Sequence, residues 1–207
     1  MIRLPGWNGA AFSEGSDGDL RNDDEARSRF SAALGLAREW AVIHQVHGHE
    51  VIRVDAAGVA GHADALWTTE PGLPLAVFTA DCFGVVLGSP GAVGVAHAGW
   101  RGVRSGVVGA LREEMAMNGH QPINAVVGPG IRSCCFEVGP EVAEGFPQHQ
   151  AMTTWGTTSV DLPAGISAQL AGSVVWSVDF CTFHDVGWFS HRRERTPKRL
   201  ASVGWVP

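Results

Sequence analysis

Val95-Ala-His-Ala-Gly-Trp-Arg-Gly102 ends an apolar run on a histidine, His97, followed at once by small residues and glycines. Two more residues with metal-ligand chemistry stand in similar settings: His47 in His44-Gln-Val-His-Gly48, and Cys82 in Thr79-Ala-Asp-Cys82. Two neutral imidazoles and a thiolate fill three corners of a zinc tetrahedron and leave the fourth open, as catalytic zinc sites do. The spacings of 35 and 15 residues exclude a finger or ribbon, so the fold must assemble any such site. The same residues stay open to other readings. Two histidines and a cysteine are also a blue-copper ligand set, and copper outcompetes zinc for most such sites. Cys82 as nucleophile with His97 as base would make a cysteine hydrolase. The plainest alternative is two hydrogen-bonded histidines and a buried cysteine, since free cysteine is among the most buried residue types.

These blocks occur in order with Gly128-Pro-Gly-Ile-Arg-Ser-Cys-Cys-Phe-Glu-Val-Gly139 and Phe189-Ser-His-Arg-Arg193. Together they resemble the YfiH family, also called the peptidoglycan editing factor or multicopper polyphenol oxidase family, from about Trp40 onward. The resemblance implies an α/β fold grouped with toxin deamidases, one zinc on His47, Cys82 and His97, and activity on purine nucleosides. Phosphorolysis of adenosine-, inosine- or guanosine-type nucleosides and deamination of adenosine are the implied reactions. A copper polyphenol oxidase, a cysteine hydrolase or a non-enzymatic peptidoglycan factor are the competing classes. A laccase needs several coppers and many His-x-His pairs; among the nine histidines only His47-Gly-His49 has that spacing.

Zinc lowers the pKa of bound water to roughly 7, which suits neutral-pH chemistry. A purine nucleoside needs a flat apolar slot, for which Trp100, Phe136 and Phe189 are candidates, against ordinary core packing as the alternative. A phosphate needs a cationic cradle, for which Arg101 and Arg192 are candidates. Asp81 and His44 are candidate catalytic groups with Cys82 and Arg101. Asp64, in Ala63-Asp-Ala-Leu66, fits a structural role as well as a catalytic one. The Gly128-Pro-Gly130 loop lacks the spacing of a phosphate-binding or dinucleotide fingerprint and reads as a turn or a pocket wall. Adjacent Cys134 and Cys135 make poor disulfide geometry and read as thiols. The family's N-terminal arginine is missing, with Glu14 near its place, which predicts a carboxylate beside the pocket and a preference for neutral nucleosides. Thr196-Pro-Lys-Arg199 also departs from the family's Thr-Gly-Arg.

The elements that must position these residues read as one α/β domain over 1–207, with mixed β-sheet layers covered by helices. Asn22 to Leu36 opens with capping residues and acids, repeats apolar positions at helical spacing and stops at Gly35. Trp40 to Val54 predicts two strands around His47-Gly48. Leu73–Thr79, Phe83–Leu87 and Ala92–Ala96 are continuous apolar runs, which suit strands covered on both faces, with Gly88-Ser-Pro-Gly91 as a hairpin turn. Val103, Val107, Val108, Leu111 and Met115 form one helical stripe ending near Asn118-Gly119. Ala125–Val127 and Val174–Val178 read as inner strands, Leu162–Leu170 as a helix and Leu200–Val206 as a last strand.

The 207 residues carry a formal charge of −6, with 17% charged and 45% hydrophobic residues. That balance argues against a nucleic-acid partner, which needs a positive face. No apolar run is long enough for a membrane span or a signal peptide. Four cysteines do not make a disulfide framework, so the reading is a reduced, cytoplasmic enzyme, a monomer or weak dimer with small-molecule partners.

Overall fold

The computed structural model describes residues 1–4 and 6–207. In chain order it contains β1 (Ile2–Leu4), β2 (Trp7–Phe12), α1 (Asp24–Leu34), β3 (Ala41–His44), β4 (Val51–Arg53), β5 (Gly58–His62), β6 (Ala65–Thr68) and β7 (Leu75–Thr79). Then follow β8 (Phe83–Ser89), β9 (Ala92–Ala98), α2 (Trp100–Ser105), α3 (Val107–Met117), β10 (Asn124–Val127) and α4 (Pro140–Ala143). The chain closes with β11 (Gln150–Met152), β12 (Thr158–Val160), α5 (Leu162–Ala168), β13 (Val174–Ser177), α6 (His191–Glu194) and β14 (Leu200–Gly204).

The strands form two six-stranded mixed sheets, ordered β1-β2-β14-β7-β3-β5 and β13-β10-β8-β9-β6-β4, plus the small β11-β12 hairpin. Alternation within each strand sends side chains to opposite faces. Phe12 and Val77 of the first sheet meet Val86, Val95 and Val126 of the second in a shared inner layer. Their neighbours Ala11, Ala76 and Phe78 point outward under α1, against Phe30 and Trp40. On the far side, Trp67, Val85 and Leu87 pack under Leu111, Met115 and Ile166 of α3 and α5. The result is helix, sheet, sheet, helix. β7, β8 and β9 are therefore buried on both faces, which is why their sequences run apolar without alternation.

Local chemistry sets the ends. Asp23 caps α1 by accepting from the Glu25 and Ala26 amides, and Gly35 closes it in the left-handed conformation at φ 71°. Pro90-Gly91 turns β8 into β9, with Ser89 opposite Ala92 and Gly91 at φ 74°. The helical stripe from Val103 onward is two helices, broken where Gly106 takes φ 86°. Trp40 to Val54 holds the two expected strands around His47-Gly48, β3 and β4; they belong to different sheets, and the His47 loop crosses between them. One expectation is corrected. β13, read as an inner strand, is an edge strand with all four residues exposed, because it pairs only with β10; the Trp7 ring lies 6.5 Å from that of Trp176. No helix among the described residues is long and apolar enough to cross a membrane.

Candidate active site

His47, Cys82 and His97 come together at one end of the sandwich, each offering a ligand atom within 4.8 Å of the others. The His47 and His97 rings stand nearly perpendicular, centroids 4.8 Å apart. His97 is placed rigidly, near the end of β9 and only 3% exposed. The other two come from strained turns. His47 sits at φ 63° in the loop after β3, and Asp81, just before Cys82, sits at φ 89° between β7 and β8. Left-handed backbone at non-glycine residues costs of order 1–3 kcal/mol and persists where surrounding structure over-determines it. Gly99 is required for the approach: a Cβ there would lie 3.0 Å from Cys82 Sγ and 3.2 Å from His47 Cδ2.

Asp64 does the over-determining. Fully buried, it takes the His97 Nδ1–H on Oδ1 at 2.7 Å, and on Oδ2 the Gly48 and Val46 amides at 2.6 and 3.2 Å. One carboxylate thus orients one histidine directly and the other through its loop, leaving His97 Nε2 for a ligand. Burial opposes its charge, but the donors from His97 and Gly48 outweigh it and hold the carboxyl below its ordinary value. Cys82 and His97 polarise each other. Burial disfavours both charges, yet His97, with help from His47, draws the thiol down to about 6. The Cys82 thiolate and Asp64 raise His97 to about 9. Two imidazoles and a readily formed thiolate, with a carboxylate behind one ring, fit a zinc ion by donor type and number.

The three donors open onto a cavity of about 380 Å³. This is within the size range of small-molecule sites. Trp100, Phe136 and Arg192 line it, with the Arg192 guanidinium 5.4 Å over the Phe136 ring. Asp81 also lines it, but its carboxylate is engaged, accepting from Thr182 Oγ1 at 2.8 Å and from the Arg192 amide at 2.6 Å. It ties the segments after β13 to the cavity and is not a free acid or base.

Three expected residues lie elsewhere. His44, exposed at the end of β3, lies beside His62 of β5, the rings tilted with centroids 5.1 Å apart. Arg101 is exposed on α2 with its guanidinium 4.3 Å over the Trp100 ring, and it does not line the cavity. Phe189 lines a separate hollow with Gly15 and Trp188, under Lys198, because Ser190 turns the chain into α6 after it. The Glu14 carboxylate is likewise away from the cavity, paired with the Met1 amino group. In the Gly128-Pro-Gly130 loop the glycines make room for aromatic rings: a Cβ at Gly128 would lie 2.5 Å from Phe12, and one at Gly130 2.6 Å from Phe83. Only the following Ile131 and Phe136 reach the cavity.

Sequence reasoning missed Arg21, Gln45 and Phe78, which also line the cavity with His191 and Arg199. Gln45 lies inside the histidine motif and had a signal. Its amide pairs with both backbone groups of Phe78, at 2.8 and 2.9 Å, as a strand would. Arg21 had a weaker one, a cation just before an acidic helix start.

A family model described as multi-copper polyphenol oxidoreductase laccase matches residues 6–207. A purine nucleoside phosphorylase of Streptomyces griseus is 40% identical, over 99% of this chain and 92% of its own length. Another so named, from Corynebacterium glutamicum, is 34% identical over the same shares. Among solved structures, YfiH of Bacillus licheniformis superposes with a TM-score of 0.85 at 22% identity, covering 96% of this chain and 92% of that one, a likeness of fold. YlmD of Geobacillus stearothermophilus gives 0.78 at 29% identity, covering 91% and 82%. With a match along nearly the whole chain, and relatives 40% and 34% identical, the protein belongs to the YfiH family, whose family model carries the laccase description.

Proposed function

We propose that the protein is a zinc-dependent purine nucleoside enzyme that cleaves the glycosidic bond with phosphate and also deaminates adenosine. The observation that carries this reading is the convergence of His47, Cys82 and His97 at a cavity lined by the rings of Trp100, Phe136 and Phe78 and by Arg21, Arg192 and Arg199. The names of the relatives support the phosphorylase activity. The aromatic rings suit a flat purine and the arginines suit phosphate, a planar fork meeting a tetrahedral anion.

The chain's own residues divide the work. His47, Cys82 and His97 would hold the ion, which when bound supplies Lewis acidity at neutral pH. Asp64 keeps the His97 proton on Nδ1 and the His47 loop closed down. Asp81 holds the start of α6, so that Arg192 stays over Phe136 at the edge of the base slot. Gln45 fixes Phe78 by sealing its backbone groups. A multicopper oxidase would need several copper sites rich in histidine. Among the described residues, only one group of three candidate ligands contains histidine.

Metal analysis of protein purified without added metal, followed by adenosine and inosine turnover with and without phosphate, tests the reading. One zinc per chain, hypoxanthine from inosine only with phosphate, and ammonia from adenosine are expected. Cys82→Ala is expected to lose the metal and both activities while staying folded. Full activity in the metal-free protein would move the chemistry to the Cys82–His97 pair alone.

A further inference from the structure

A second group of soft ligands lies behind the cavity wall. The sulfurs of Cys134, Cys135 and Cys181 all fall within 4.8 Å of one another, those of Cys134 and Cys135 at 3.3 Å. Cys181 arrives from a distant part of the chain: its neighbourhood runs parallel to Gly130, and the Thr182 amide donates to the Gly130 carbonyl at 3.1 Å. Its position is further set by Asp185, which accepts the Cys181 amide at 3.0 Å. Cys135 and Cys181 are buried, and half-buried Cys134 gives the cluster its access to solvent.

We propose that Cys134, Cys135 and Cys181 form a second metal site, distinct from His47, Cys82 and His97, that takes a soft monovalent ion, Cu(I) or its surrogate Ag(I). Donor chemistry carries this. Thiolates select soft ions, and among the described residues no histidine or carboxylate joins this group to complete the tetrahedron that structural zinc requires. Each thiol that binds gives its proton to solvent, so the ion must bond sulfur strongly enough to displace it. Two groups favour the anionic sulfurs: the Arg132 amide donates to Cys181 Sγ at 3.4 Å, and the Arg132 guanidinium acts on Cys134. A disulfide between the neighbours Cys134 and Cys135 would meet unfavourable geometry and leave the third thiol unexplained. The site is coupled to the cavity through adjacent residues. Phe136 follows Cys135 into the cavity wall, and Thr182 follows Cys181 and holds Asp81. An ion there would brace both.

The test is anaerobic titration of fully reduced Cys82→Ala protein, which lacks the first site's thiol, with Cu(I) buffered by a chromophoric chelator. Binding of one Cu(I) per chain is expected, with a thiolate-to-copper charge-transfer band in the near ultraviolet. Adding Cys134→Ser and Cys181→Ser is expected to abolish both. Since Cys181 is buried, Cys134→Ser alone provides the check if the double change impairs folding, and it is expected to remove the band. No Cu(I) uptake, or uptake unchanged by either variant, overturns the site. So does a reduced protein that takes up no Cu(I) but loses two free thiols to mild peroxide, the mark of a redox pair.

Discussion

Replacing Asp64 with asparagine removes one oxygen and the charge and leaves the shape. Every neighbour of the carboxylate is a donor: His97 Nδ1 on one oxygen, the Gly48 and Val46 amides on the other. An asparagine can satisfy only one side, and its NH2 then faces a donor. If the oxygen stays with the loop, His97 loses a charge-assisted hydrogen bond at 2.7 Å inside a dry environment. Hydrogen bonds to charged groups contribute about 1.5–3 kcal/mol. At about 1.4 kcal/mol per tenfold, the orientation of His97 and hence the zinc affinity falls roughly 10- to 100-fold. If the oxygen turns to His97 instead, the His47 loop is released and the loss is of similar size. Zinc affinity measured by competition with a chromophoric chelator checks this, with circular dichroism to show that the fold remains. Wild-type affinity in Asp64→Asn would refute the reasoning: either His97 is not a ligand or its orientation is set by something else. A variant that loses thermal stability but keeps its affinity would make Asp64 purely structural.

Gly99→Ala tests how closely the chain must approach. Its backbone has φ −76°, open to alanine, so the effect comes from the contacts of the new Cβ, 3.0 Å from Cys82 Sγ and 3.2 Å from His47 Cδ2. Zinc affinity is expected to fall at least as far as in Asp64→Asn with little change in melting temperature; an unaffected affinity would mean that the donors shift freely. Arg199→Ala and Arg21→Ala are each expected to raise the KM for phosphate and to spare adenosine deamination, measured as ammonia release. Equal loss of both reactions would make these arginines structural. Arg101→Ala, whose guanidinium stacks on Trp100 outside the cavity, is expected to leave the phosphate dependence unchanged. A selective loss of phosphorolysis there would place Arg101 in the site after all.

Much of this protein is written locally in its chain. Asp23 and Gly35 delimit the first helix because capping involves residues close in sequence. The apolar runs of β7, β8 and β9 announce strands buried on both faces because that burial acts on each residue separately. Donor types at His47, Cys82 and His97 were legible too, since ligand chemistry belongs to the side chain. Direction was not. His44 and His47 are chemically alike and three residues apart, yet the strand leaves one facing His62 while the turn at φ 63° brings the other to Cys82. That turn is held by Asp64, which sits in another loop. Arg101, close after His97, points away, while Arg21 and Arg199, 178 residues apart, meet at the cavity because β2 and β14 pair and bring their flanking segments together. Cys181 joins Cys134 and Cys135 only through its pairing with Gly130. Residue type is a property of one position, but proximity and aim depend on strand pairing and on turns braced by side chains far along the chain, and those only the tertiary structure decided.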